Sequence, residues 1–289
     1  MATVTTEIGP PAGGDAHVVT GGGGVDLRVD ETGTADERPI LFVHGFSGSR
    51  LVWHEQLTSE LQDDFRLVAV DLRGHGRSDK PEDAYTDAEH WAADIHAVVD
   101  EVALEEPILV GWSVGAGWIA DYLSVYGTND VAGVNVVGPR LALRDEELTT
   151  ALGPDMLALL ERGAFVSTDA AEATAGLEEF VSLWTADPLS PRTHLFLLGI
   201  VSLVPPSVRA GILSRTGTVA YDDVLADLEV PTLLSHGERD AVIPLEAGTA
   251  AVDLVPNART SVYPGTGHMP FLEAPDRFNR ELRAFADGL

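Results

Sequence analysis

Short, nearly continuous apolar runs separated by helical periods constrain this chain more than any other feature. Residues 40–43 (Ile-Leu-Phe-Val) and 108–110 (Ile-Leu-Val) carry no polar side chain. Strands covered on both faces by crossover helices read this way, whereas a half-exposed sheet would alternate. Comparable strand-forming runs recur at 39–43, 65–71, 107–110, 131–137, 231–235 and 260–263. Helical periods fall between them: after Ser49, over about 87–102, after Ser113, near Glu246 and over 276–286. Thr86 with Glu89 offers a capping box for the second of these. Strand and helix alternating in this way imply an α/β chain with a mostly parallel central sheet flanked by helices.

That rhythm breaks between about 139 and 222, where helical patterns such as 146–161 and 170–184 have no strand between them. We read an inserted helical cap over 140–221 and a core formed by 25–139 and 222–289. Phe165, Phe180, Trp184 and Phe196 give the insertion more apolar matter than a linker needs, so it is expected to roof something; the alternative is a second helical layer with no cavity beneath it. Residues 1–24 are rich in Gly, Pro, Thr and Ala and end in four glycines, and are expected to be a flexible lead-in. No internal repeat is visible.

Charge excludes several partners. The 289 residues carry 46 acids against 18 bases, a formal net charge of −28, and Lys80 is the sole lysine. Such a charge keeps a chain soluble but makes its compact state repel itself, and molar salt screens that repulsion. A salt-rich cytoplasm, such as that of a halophilic archaeon, fits this composition. Nucleic acid and anionic membranes, which demand a basic footprint, do not. The absence of cysteine removes disulfides, thiolate metal sites and a cysteine nucleophile together. No signal peptide is apparent at the start, and the apolar run from Leu195 to Pro205 is too short to span a bilayer. A cytoplasmic chain is expected, with a homo-oligomer left open.

Chemistry concentrates at the ends of the expected strands. The run at 107–110 leads into Gly111-Trp112-Ser113-Val114-Gly115, a G-x-S-x-G turn that would project Ser113 from a sharp strand-to-helix bend. A serine hydroxyl needs a base, and the base needs an acid to orient it. Asp240 lies just past the 231–235 strand, where open α/β sheets place functional groups, and His268 follows the last strand in a glycine-rich loop. The order Ser, Asp, His suits this arrangement. After the first apolar run, His44-Gly45-Phe46 suits an oxyanion loop, so the N–H groups of Phe46 and Val114 are the expected donors to a tetrahedral oxyanion. Trp112 and Phe46 are the expected substrate-binding side chains.

Other histidines compete less well. His75 and His236 sit beside glycines in tight turns, His90 and His96 are too far around one helix to share a metal, and His44 reads as structural. No metal and no cofactor are expected. Gly115-Ala116-Gly117-Trp118-Ile119-Ala120 spells a dinucleotide fingerprint, but its first glycine lies too far past the strand and no acid follows at the required distance. Arg50, near the oxyanion loop, could recruit a carboxylate; a solvated or ion-paired surface arginine is the plainer reading.

With these residues in view, the chain from about 25 to 288 resembles the α/β-hydrolase family, in its cofactor-independent esterase, perhydrolase and epoxide-hydrolase-like branch. The marks are His44-Gly45-Phe46 with Ser49 and Trp53, the stretch Asp71-Leu72-Arg73-Gly74-His75-Gly76-Arg77-Ser78, the Ser113 elbow, Gly237 through Asp240, and Gly267-His268. The resemblance implies a Ser113, Asp240 and His268 triad and an architectural role for the Asp71 to Ser78 stretch. It also implies that Ser113 speaks against epoxide hydrolases and haloalkane dehalogenases, which use aspartate there. Val114, where cofactor-free perhydrolases commonly have Met, weakens that subtype. The expected activity is hydrolysis of small carboxylic esters through an acyl-enzyme. Perhydrolase or haloperoxidase-like activity, C–C bond hydrolysis, and a non-catalytic ligand-binding protein on the same scaffold are the alternatives.

Overall fold

A computed structural model describes residues 14–144, 147–216 and 219–289. The chain enters as β1 (Asp15–Thr20), β2 (Asp26–Thr32) and β3 (Pro39–Val43), then α1 (His54–Leu57), β4 (Arg66–Asp71), α2 (Ala88–Glu101), β5 (Ile108–Trp112), α3 (Val114–Tyr126) and β6 (Gly133–Val137). Helices α4 (Leu148–Ala151), α5 (Pro154–Glu161), α6 (Ala170–Ser182), α7 (Pro191–Ser202) and α8 (Pro206–Thr216) follow. The chain then closes with α9 (Asp222–Ala226), β7 (Thr232–Gly237), α10 (Leu245–Val252), β8 (Ala258–Tyr263), α11 (Pro270–Glu273) and α12 (Pro275–Ala286).

Among the described residues eight strands form one sheet in the order β1-β2-β4-β3-β5-β6-β7-β8. β1 and β2 pair antiparallel at one edge, and the remaining strands run parallel. Ile40, Leu41, Phe42, Ile108, Leu109 and Val110 are all fully buried, as continuous apolar strands under two helical layers should be. The parallel register sets Trp112 beside Val137, Val137 beside Ser235, and Gly237 beside Tyr263. Loops leaving β3, β5, β6, β7 and β8 therefore emerge along one carboxyl edge, where ligands bind in open α/β sheets.

The first strands depart from the expected lead-in. Residues 15–20 form β1, and the four glycines are the hairpin turn into β2, with Gly23 and Gly24 at φ 73° and 82°. Glycine supplies the positive φ that a tight turn requires, and composition alone read that as mobility. The turn is clamped: Gly22 N–H donates to Asp94 at 3.0 Å, and Arg73 Nη2 donates to Gly22 O at 2.8 Å. Arg73 in turn makes a two-pronged contact with Asp94, at 2.7 and 2.6 Å, with both side chains out of solvent. Burial raises the Asp94 carboxyl and the Arg73 guanidinium opposes the rise. Removing one partner leaves the other as an uncompensated buried charge, so Asp94→Ala is expected to cost about 3 kcal/mol or more. Urea unfolding in molar KCl checks this, and a loss under about 1 kcal/mol contradicts it. Residues 1–13 of the expected lead-in lie outside the described residues.

Helix α2 is capped one residue later than the spacing suggests, by Asp87, whose carboxylate accepts from Glu89 N–H at 3.0 Å. The expected 146–161 helix is two pieces, α4 and α5, parted at Gly153-Pro154, and its start at Glu146 lies outside the described residues. α7 and α8 meet at Pro205-Pro206 with an 80° bend; no single described helix is long and apolar enough to cross a membrane. Arg215 of α8 pairs with Asp121 of α3 at 2.6 Å, tying the inserted helices to the helix that follows the elbow. Burial pushes the Asp121 carboxyl up to about 6 against the pull of Arg215.

Candidate active site

Ser113 follows β5 directly and precedes α3, with φ 56° and ψ −125°. A non-glycine residue held at such a φ stores strain, as a nucleophile elbow does. The flanking glycines admit close neighbours. A Cβ on Gly111 would lie 2.9 Å from the Ala116 backbone, and one on Gly115 would lie 2.8 Å from Val43 O and closer still to His44 O. Ser113 is locked from both sides of its own peptide, its N–H donating to Val137 O at 2.9 Å and its C=O accepting from Arg140 N–H at 3.0 Å.

Asp240 arrives from the loop after β7. Its Oδ1 accepts from Val242 N–H at 2.8 Å and Ile243 N–H at 2.9 Å, which aims Oδ2 at His268 Nδ1, 2.7 Å away. With Nδ1–H donating to the carboxylate, the opposite nitrogen of the ring, Nε2, is left as the acceptor. His268 is 1% exposed and its ring packs 5.3 Å from that of Trp112, the residue before Ser113. Gly138, next to the Val137 carbonyl that holds Ser113, is close enough that a Cβ there would meet His268 Nδ1 at 2.9 Å and Asp240 Oδ2 at 3.1 Å. The elbow, the acid and the imidazole thus gather within one loop cluster at the sheet's carboxyl edge.

The β3 loop closes the opposite side. A Cβ on Gly45 would lie 2.9 Å from Ser113 Cβ, so the His44-Gly45-Phe46 turn passes directly beside the serine. Among the described residues the N–H groups of Phe46 and Val114 have no protein acceptor, and Val114 opens the first turn of α3, where backbone donors and the helix dipole favour negative charge. His44 is structural, as expected: Nε2 accepts from Leu72 N–H at 3.1 Å and Nδ1 meets Gly45 O at 2.8 Å, while burial lowers its basicity.

Trp112 does not line open space. It is 1% exposed, and its indole Nε1–H donates to His268 O at 2.9 Å while its ring meets Trp184 edge-on at 5.0 Å. A β5 residue pointing towards the β8 loop serves the histidine's backbone, and this replaces the expected substrate contact. Phe46 is also buried, packed edge-on against Phe165 at 5.3 Å, in the turn after α5, and Phe180 of α6 at 5.9 Å. Arg50 is ion-paired, with Asp71 and, at 2.8 Å, with Asp30, but it is buried rather than at the surface, because both partners lie in strands of the sheet, β4 and β2. Asp71 also accepts from Arg77 N–H at 2.9 Å, and Ser78 Oγ–H bonds the Asp71 carbonyl, so the Asp71 to Ser78 stretch is a scaffold.

His236 lies within β7 rather than in a tight turn, and its Nε2 sits 3.4 Å from Asp240 Oδ2 and donates to Ile243 O at 3.0 Å. Burial lowers its basicity, so it presents a neutral N–H dipole to the carboxylate. The i, i+4 spacing of His236 and Asp240 was the available clue.

A family profile for the alpha/beta hydrolase fold matches residues 38–275. The chain belongs to the α/β-hydrolase family. It is 31% identical over 285 residues to a bifunctional esterase/perhydrolase of Acinetobacter calcoaceticus, covering 92% of this chain and 98% of that one. A non-heme haloperoxidase of Rhodococcus erythropolis is 29% identical over 286 residues, with 93% and 98% covered. An esterase from Rhodococcus sp. ECU1013 superposes with a TM-score of 0.88 at 36% identity, covering 95% of this chain and 99% of that one.

Proposed function

We propose that this α/β-hydrolase cleaves carboxylic esters through an acyl-enzyme on Ser113. His268 Nε2 takes the hydroxyl proton as Oγ attacks the ester carbonyl, and Asp240 holds the Nδ1–H tautomer and stabilises the imidazolium. The N–H groups of Phe46 and Val114 receive the oxyanion, each donor contributing about 3 kcal/mol to the transition state. The proton then passes to the leaving alcohol, water enters, and the same histidine activates it to release the acid. The observation that carries this reading is the 2.7 Å His268–Asp240 contact beside a serine in elbow geometry.

Phe165 and Phe180 of the inserted segment abut Phe46 on the loop beside Ser113, which favours an uncharged, modestly apolar acyl or alcohol group under a helical cap. A panel of p-nitrophenyl esters assayed in molar KCl tests this. Turnover abolished in Ser113→Ala is expected, and esterase activity retained in that variant overturns it. The esterase/perhydrolase relative motivates a second reading, in which hydrogen peroxide rather than water meets the acyl-enzyme and leaves as a peracid. Peracid formation from acetate esters and peroxide separates the two.

The acidic composition supports salt adaptation in a salt-rich cytoplasm. Screening within about 3 Å at 1 M salt removes most repulsion among 46 carboxylates. A melting temperature that rises by about 10 °C or more between 0.1 M and multimolar KCl is expected. An unchanged value contradicts it.

A further inference from the structure

Glu273 ends α11, five residues beyond His268, and its carboxylate is given over to main-chain donors. Oε1 accepts from Gly267 N–H at 2.6 Å, immediately before the histidine. Oε2 accepts from Ala186 N–H at 2.9 Å, in the turn that follows α6. The same two segments meet twice more. Met269 N–H donates to Trp184 O at 3.1 Å, and a Cβ on Gly267 would lie 2.7 Å from Ala186 N. Among the described residues no cation pairs with Glu273. Burial, with nearby Asp187, raises its carboxyl above the ordinary glutamate value, and the N–H groups of Gly267, Ala186 and Asp187 oppose that rise.

Hydrogen bonds to an ionised acceptor are about twice as strong as neutral ones, and a carboxylate is the side chain that can accept from two separate N–H groups without offering a donor of its own. A glutamate whose task was only to finish a short helix would face solvent. This one bridges the loop carrying the base to the turn leaving the inserted helices. We infer that Glu273 is a positioning residue, a two-handed clamp that seats the His268 imidazole over Ser113 by fixing Gly267 against Ala186. The position of the base consequently depends on where the α6–α7 turn sits. This inference rests on the Ser113, His268 and Asp240 reading.

Glu273→Gln tests it, because glutamine keeps the shape and one acceptor but turns an NH₂ group towards one of the two N–H donors. Rates on p-nitrophenyl acetate in molar KCl are normalised to sites titrated by a fluorophosphonate, so unfolded protein drops out. The expected result is a fall in kcat of about ten- to a hundredfold with KM changed less than about twofold. The labelling rate at Ser113 should slow in parallel, and the downfield proton resonance of His268 Nδ1–H should broaden or shift. A variant with wild-type kcat and an unaltered resonance, or one whose loss lies wholly in KM, overturns the inference. Ser113→Ala run alongside keeps the two readings apart. Activity surviving there removes the triad itself, whereas an inactive Ser113→Ala with an unimpaired Glu273→Gln removes only the clamp.

Discussion

Asp240→Asn is expected to lower kcat on a short p-nitrophenyl ester by about 10³- to 10⁴-fold while leaving the protein folded. The asymmetry comes from how the carboxylate is used. Oδ1 accepts from Val242 N–H and Ile243 N–H, and the asparagine carbonyl preserves both bonds, so the loop after β7 keeps its shape. Oδ2 faces His268 Nδ1 at 2.7 Å, and there the amide NH₂ becomes a donor that demands an acceptor. The imidazole answers by moving its proton to Nε2, the nitrogen that must be free to take the serine proton. His236, whose N–H also approaches Oδ2 at 3.4 Å, loses the anion it faced. Steady-state kinetics with a thermal melt checks both halves. A kcat within about tenfold of wild type contradicts the assignment of Asp240 as the orienting acid.

The second large effect comes from a residue that touches no substrate. In Gly237→Ala the new methyl would lie 2.6 Å from Thr266 O, 2.8 Å from the Gly267 carbonyl carbon and nearer still to Gly267 O. These are main-chain atoms of the loop leading into His268, so relief requires the loop to move rather than a side chain to rotate. Overpacking of this kind costs about 1–3 kcal/mol. The functional cost is expected to be greater, because a displacement of about 1 Å at the base costs about a hundredfold in rate. Gly237→Ala should thus melt lower and lose about a hundredfold in kcat on correctly folded protein. A variant with full activity would show that the His268 loop tolerates displacement, against the tight seating described above.

How much of this was legible beforehand follows from the range of each interaction. The elbow is local: Gly111, Ser113 and Gly115 determine their own bend, and the glycines admit neighbours that any such bend must meet. Asp240 and His268 were readable because each lies in the short loop after an expected strand, in the chain order that a serine at the elbow calls for. The β1–β2 hairpin was not readable, since an antiparallel edge alternates with exposed residues, and its glycine turn looks like a linker until Asp94 and Arg73 are seen to hold it. Trp112 was given to substrate because it neighbours the serine. Its indole N–H instead donates to the His268 carbonyl, 156 positions away. The role of Glu273 was not legible, because Ala186, the donor that ties it to the inserted segment, lies 87 positions earlier.

The fold places three groups from three strand ends in one loop cluster, and the account stands on their acting together. Incubation with a fluorophosphonate in molar KCl, followed by mass spectrometry of the digested protein, tests that most directly. The predicted result is a single adduct on Ser113 that disappears in His268→Ala while the variant remains folded. Adduct formation at Ser113 that persists undiminished without the imidazole, or no adduct on folded wild-type protein, would contradict it.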